Sequence, residues 1–427
     1  MRYPDYIEAP FPFPAFSRVE MYYPGKALAD PAKELETQLS RELDRAGVKA
    51  GQRVAVGVGS RGIANISAFA AVICRSIRGK GADPFIIPAM GSHGSATPQG
   101  QVQVLKHLGI TEDSCKAPIC PDMAVTRIGT ALDDVPVYFS TEALKADHTI
   151  FINRIKPHTK FKGPMESGLY KMMAVGLGKH EGAIAYHSMA LKHGFYNLLK
   201  AMGDVIVEKS NVSIAVGVVE DTRDRTMAVS VMPAQEIFDR EPGLLETAKA
   251  HFPRLPYRDL DVLVIRRVGK EISGSGMDPN VTGRTYDLME DDFSQSLSVK
   301  RVAILSLSAK TAGNGIGIGN ADIITEKVFQ NLDYEATLMN ALTSVSLRKA
   351  FIPVRLPTEE KAIQVACQTI GPLLPEELKI VIIEDTLHIT RFWASQALLD
   401  QTRAVKGARL GEKIRLKFNP RGDLILN

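Results

Sequence analysis

The chain has 427 residues, 45% of them hydrophobic, which is enough to bury more than one core, and the length favours two domains. Its 52 basic and 48 acidic residues are mixed along the sequence, so the net charge of +4 builds no basic face; this argues against nucleic acid and leaves a small anionic ligand open. The four cysteines, Cys74, Cys115, Cys120 and Cys367, form neither a CxxC metal pair nor a disulfide scaffold, and no apolar run approaches the ~20 residues of a membrane span.

The opening stretch MRYPDYIEAPFPFPAF is broken by prolines where a signal peptide needs a continuous apolar core, and a soluble, cytoplasmic protein is expected. The run Arg53 to Gly59 then reads as a buried strand, stopped by Ser60-Arg61-Gly62. A helical pattern through Phe69, Val72, Ile73 and Ile77 follows, ending near Gly79 and Gly81. Phe85 to Met90 is a second strand, closed by Gly91-Ser92-His93-Gly94-Ser95. Strand, helix, strand makes a βαβ unit with parallel strands, whose ligand-facing loops lie at the carboxyl ends of those strands. Arg61 and His93 fall in such loops.

Thr97 to Leu108 continues as a helix and His148 to Asn153 as a strand that leads directly to His158. Pro157 disfavours helix at Lys156, so His158 is expected on an extended loop at the same sheet edge. Val212 to Val219 is a further strand. A new unit begins after Phe252-Pro253-Arg254-Leu255-Pro256, with strands at Leu260 to Ile265, Val302 to Leu307 and Lys379 to Ile383 and glycine-rich loops at 269–283 and 312–319. The end segment, with Ile414, Leu416, Phe418 and Leu424, alternates like a hairpin. The expected fold is therefore α/β, in two α/β domains with mostly parallel sheets and an active-site cleft between them. The N-terminal domain (1–255) carries the reactive histidines, and the C-terminal domain (256–427) closes over the substrate, its last strands packing back on the first domain.

The densest chemistry lies between His158 and His187. Imidazoles move protons near neutral pH or bind a transition metal, and a lysine in apolar surroundings becomes a nucleophile. A single histidine is more often a satisfied polar residue, and Lys171 at a helix start is more often a lysine reaching for solvent. A lysine is unhelpful at a helix N-terminus without an anion or a covalent partner, which favours a functional Lys171. The local density of His180, His187 and His193 also admits a zinc-type hydrolase, although no HExxH is present. The glycine run from Gly313 to Gly319 is a poor dinucleotide fingerprint.

GSH at Gly91 to His93, PH at Pro157-His158, Gly168-Leu169-Tyr170-Lys171 and a histidine sixteen residues later, in that order, resemble the lactate racemase family, which uses a nickel-pincer nucleotide. The resemblance extends to GSGMDPNVTGR at 274–284. It implies a pyridinium mononucleotide whose two thio-acyl arms and ring carbon hold nickel. Lys171 matches the tethering lysine, His187 the metal ligand, Arg61 a cofactor-side residue, and His93 and His158 the catalytic pair. Three pincer donors and one imidazole make a near square-planar site suited to nickel. The implied activity is racemisation or epimerisation of a 2-hydroxy acid by reversible hydride transfer, with one histidine for each face. Asn153, Asn280 and Arg284 are the expected substrate contacts. The chain departs from the family at Val58, where an aspartate is common, and near Thr282-Gly283-Arg284, where glutamine and lysine are common; the spacing from His158 to Lys171 is also longer. These departures point away from lactate toward a larger 2-hydroxy acid, such as a sugar acid. The resemblance also implies cofactor-biosynthesis enzymes as partners and is compatible with a homodimer. A non-enzymatic carrier of the nickel cofactor is the remaining alternative.

Overall fold

The computed structural model describes residues 4–23, 25–60, 62–132, 134–285 and 297–426. The chain forms two compact units, Gly25–Phe252 and a second made of Met1–Pro24 with Pro253–Asn427. The first residues, expected with the N-terminal domain, thus belong to the other unit. The reason is the first strand, β1 (Ala15–Met21), whose apolar residues find their partners among the last strands of the chain.

The unit 25–252 is built on a five-stranded sheet of β2 (Arg53–Val58), β3 (Asp83–Pro88), β6 (His148–Arg154), β7 (Val212–Glu220) and β8 (Thr226–Pro233), with a separate hairpin of β4 (Val125–Ala131) and β5 (Val135–Ser140). The sheet order is β3-β2-β6-β7-β8, parallel except for β8. Its central strands are continuous apolar runs because helices cover the sheet. Helix Ile66–Gly79 buries Phe69, Ile73 and Ile77 on one stripe, and helix Pro31–Arg45 buries Leu35, Leu39 and Leu43 in the same core. Each such side chain contributes roughly 1.5–3 kcal/mol by leaving water.

The other unit holds an eight-stranded sheet. Five strands, β9 (Asp259–Val268), β10 (Ser298–Leu307), β11 (Ile323–Thr325), β12 (Val354–Leu356) and β13 (Ile380–Ile383), run parallel in the order β12-β11-β10-β9-β13. Then β14 (Arg391–Ser395), β1 and β15 (Ala408–Arg415) continue it antiparallel. The expected return of the final strands thus ends on β1, inside this unit. A small hairpin of β16 (Lys417–Phe418) and β17 (Leu424–Ile425) follows. Among the described residues no helix is long and apolar enough to cross a membrane.

Candidate functional site

In the first unit the chain leaves β2 for β3 on one side and later places β6 on the other. Connections diverging from neighbouring strands leave a crevice at the carboxyl ends, where open α/β sheets bind ligands. Ser60 follows β2, His93 follows β3 and His158 follows β6, so three loops meet the same edge. Arg61, also expected here, lies outside the described residues.

His93 opens a short turn, His93–Ala96, in which Gly94 and Ser95 have φ of 63° and 57°. A Cβ on Gly94 would stand 2.4 Å from the carbonyl carbon of Gly100, so only glycine fits. The fully buried Gln101 donates to the carbonyls of Met90 and Gly91 at 3.0 and 3.2 Å and fixes this loop from helix Pro98–His107. Nδ1 of His93 is hydrogen-bonded to the Ser60 hydroxyl, which orients the ring.

His158 sits in a loop whose neck is closed by Lys156 N–H donating to Ser167 O at 2.8 Å and Ser167 N–H to Lys156 O at 3.2 Å. The longer spacing before Lys171 is this closed loop. Its interior holds Phe161, whose ring centroid is 4.4 Å from that of His158, and the Glu166 carboxylate, which is fully buried. Glu166 accepts the His158 N–H at 2.6 Å and pairs with Lys249 at 3.1 Å and Lys162 at 3.7 Å. It shapes the loop from within. Nδ1 of His158 accepts the Lys160 N–H at 3.0 Å, so in the neutral ring the proton is assigned to Nε2. Nε2 lies 2.5 Å from the Nζ of Lys171.

Lys171 ends the short helical turn Leu169–Lys171, which continues as a π-helical turn, Met172–Leu177, and then as helix Lys179–His193. Such π turns are rare and often mark functional sites. The direction changes at Lys179, whose φ is +54°; its side chain is fully buried, donates to Pro88 O at 2.8 Å and is pulled down by burial to about 8. This bend, just after Gly176 and Gly178, directs the helix that carries His187. Asn153, expected to touch substrate, donates to Gly168 O at 2.7 Å and so helps hold the turn before Lys171.

His187 carries the clearest electrostatic signature. Its pKa is pulled down to about 3, first by burial and then by the charges of Lys171 and Lys160. Its Nδ1 is buried with no hydrogen-bond partner. A neutral imidazole with an unused buried nitrogen is the form that ligates a metal, so the residue fits its expected role. His180 also has a buried Nδ1 without a partner, whereas His193 pairs with Asp134 at 3.1 Å. Among the described residues no three His, Cys, Asp or Glu side chains are grouped to hold a metal ion, so the set His180, His187 and His193 does not form. A metal at His187 would need donors from a bound organic group.

Asn280 and Arg284 belong to the other unit. Asn280 lies in the turn Pro279–Thr282 and donates to Asp278 at 2.8 Å. The Arg284 guanidinium donates to Val299 O at 2.8 Å and Lys300 O at 2.8 Å and pairs with Asp322 at 3.0 Å. Sequence reasoning overlooked Glu241. This fully buried carboxylate in helix Ile237–Ala250 accepts the N–H groups of Leu169 at 3.0 Å and Tyr170 at 3.1 Å. A lone acid inside an apolar helical stripe was the available signal.

The sequence model of the lactate racemase N-terminal domain matches residues 26–196, the span that holds Ser60, His93, His158, Lys171 and His187. The structure of the lactate racemase apoprotein from Thermoanaerobacterium thermosaccharolyticum is similar over 87% of this chain and 98% of that chain, with a TM-score of 0.54 and 15% sequence identity. At that identity the likeness concerns the fold. No curated protein matches the chain.

Proposed function

We propose that this chain, whose residues 26–196 match the lactate racemase N-terminal domain, is a racemase or epimerase of a 2-hydroxy acid that uses a nickel-pincer nucleotide. The observation that carries the reading is the pairing of Lys171 with His158 beside a neutral, buried His187 whose Nδ1 has no partner. His187 would ligate the nickel and Lys171 would anchor the nucleotide. When bound, the group supplies a reversible acceptor for the substrate α-hydrogen as hydride. That route suits the substrate, because the hydrogen beside a carboxylate is too weakly acidic for direct removal by an imidazole.

The chain's own part is proton transfer and orientation. His93 and His158 come from loops after different strands, as a reaction on two faces of a planar intermediate requires. Ser60 fixes His93 through Nδ1, so the nitrogen that takes the substrate hydroxyl proton is Nε2. His158, held by Glu166 and the Lys160 amide, carries its proton on Nε2 in the neutral ring and so presents that nitrogen as the proton donor for the opposite face. The lysines at 160 and 171 make the surroundings of His187 cationic, which suits an anionic cofactor and an anionic substrate. The departures at Val58 and around Arg284 favour a 2-hydroxy acid larger than lactate, such as a sugar acid.

The test is co-expression with the cofactor-making enzymes, followed by intact mass, nickel content and exchange of the α-hydrogen across aldonates and short hydroxy acids. A nucleotide-sized adduct on Lys171, or tightly held nickel nucleotide, together with exchange on a larger acid supports the reading. Loading without exchange on any acid would favour a carrier, and protein that takes up neither nickel nor nucleotide would refute both.

A further inference from the structure

Two groups on helix Ile237–Ala250 reach the residues proposed to act. Near its start, Glu241 accepts the first two amides of the turn that ends in Lys171, at 3.0 and 3.1 Å. The approach is close: a Cβ on Gly168 would stand 1.9 Å from Glu241 Oε1, so the glycine lets the chain pass the carboxylate. Near its end, Lys249 pairs at 3.1 Å with Oε1 of the buried Glu166, whose Oε2 accepts the His158 N–H at 2.6 Å. Lys249 is also held by Glu246 of its own helix at 3.0 Å. One helix therefore grips both partners of the pair His158 and Lys171, each through a buried carboxylate. Isolated buried carboxylates are costly, and replacing them with apolar side chains is often neutral or stabilising, so stability alone is a poor reason to keep two of them. Both Glu241 and Lys249 lie beyond residue 196, where the family match ends.

We propose that helix Ile237–Ala250 is the splint that sets the separation of His158 and Lys171, with Glu241 and Lys249 as positioning residues. Glu241 fixes the helical turn from which Lys171 projects, and Lys249 fixes Glu166 and through it the backbone of His158. The proposal rests on the reading that His158 and Lys171 work together, but it is testable without cofactor or turnover.

The experiment is trace acetylation of the full chain, prepared without cofactor, using acetic anhydride over a pH series. The extent at Lys171 is read by peptide mass spectrometry against the exposed Lys116, with the buried Lys179 of the same unit as a control. In Lys249→Met and in Glu241→Gln the relative rate at Lys171 should rise about fivefold or more, the effect of releasing roughly 1 kcal/mol of restraint. The pH profile at Lys171 should shift as the contact with His158 loosens, while Lys179 stays at the parent rate. Lys249→Arg keeps the charge and should stay within about twofold of the parent. Glu166→Gln should match Lys249→Met, and the double variant should go no further, because both act through one link. Parent-like labelling of Lys171 in Lys249→Met would overturn the proposal, as would a parallel rise at Lys179, which marks general loosening. Should Glu241→Gln fail to fold, Lys249→Met, whose side chain is 25% exposed, carries the test alone. Failure of the cofactor to load would count against the proposed function and leave these labelling results standing.

Discussion

Glu241→Gln should change the dependence of stability on pH. The carboxyl is fully buried, and burial pushes its ordinary value of 4.5 up to about 7, against the opposing pull of the Tyr170 and Leu169 amides. The Tyr170 phenol, on the turn it holds, feels the Glu241 charge and is itself tied to Asp204 at 3.0 Å. A folded state that holds a proton more tightly than the unfolded chain gains stability that is fully present below about pH 4.5 and lost as pH rises through about 7. At 1.36 kcal/mol for each tenfold change, the loss is about 3 kcal/mol across that window. Glutamine cannot ionise, so it removes this slope whatever fixed cost its amide adds. The assay is urea unfolding of parent and variant between pH 5 and pH 8, with amide exchange at Leu169 and Tyr170 as a local probe. The variant should gain about 2.5 kcal/mol relative to the parent on going from the acid to the alkaline end. A difference constant to within about 0.5 kcal/mol would refute the reasoning, since the carboxyl would then keep one charge state throughout.

Further outcomes are expected elsewhere. His93→Asn and His158→Asn should each lower α-hydrogen exchange by about 10²-fold or more while nickel and nucleotide content stay near the parent, as metal analysis and intact mass would show. His187→Ala should retain at least tenfold less nickel after gel filtration in co-expressed protein. Gly94→Ala forces a side chain into left-handed backbone beside Gly100, and urea unfolding should show a loss of roughly 1–3 kcal/mol. Phe69→Ala empties a fully buried position and should cost about 3–5 kcal/mol in the same measurement.

The parallel strands were legible because each is a short apolar run ended by glycine, proline or a polar cluster. For the same reason the loops carrying His93 and His158 were legible at one sheet edge, whereas the roles expected of Lys171 and His187 came from the family resemblance rather than from local pattern. What escaped was tertiary in origin. Lys249 and the link from Glu166 to it exist only through partners distant in sequence, which no local periodicity announces, and the one local sign of Glu241 is an acid within an apolar helical stripe. The π turn at Met172–Leu177 differs from ordinary helix by a single shift in hydrogen-bond register, which composition does not encode. Asn153 and Arg284 were read as substrate contacts because polar residues in loops invite that reading, yet hydrogen bonds to the backbone already engage both. Arg61 lies outside the described residues.

The placement of β1 constrains how the protein is made. That strand lies between β14 and β15, so it leaves the ribosome well before either of the strands that flank it in the sheet. At about 5–20 residues per second the wait is roughly 20–80 s, during which the unit 25–252 can already fold. Throughout that interval an apolar strand with two unpaired edges is exposed to chaperones and to other nascent chains. A bulky fusion partner ahead of β1 would burden this late closure, whereas the same partner after the final hairpin would leave it alone.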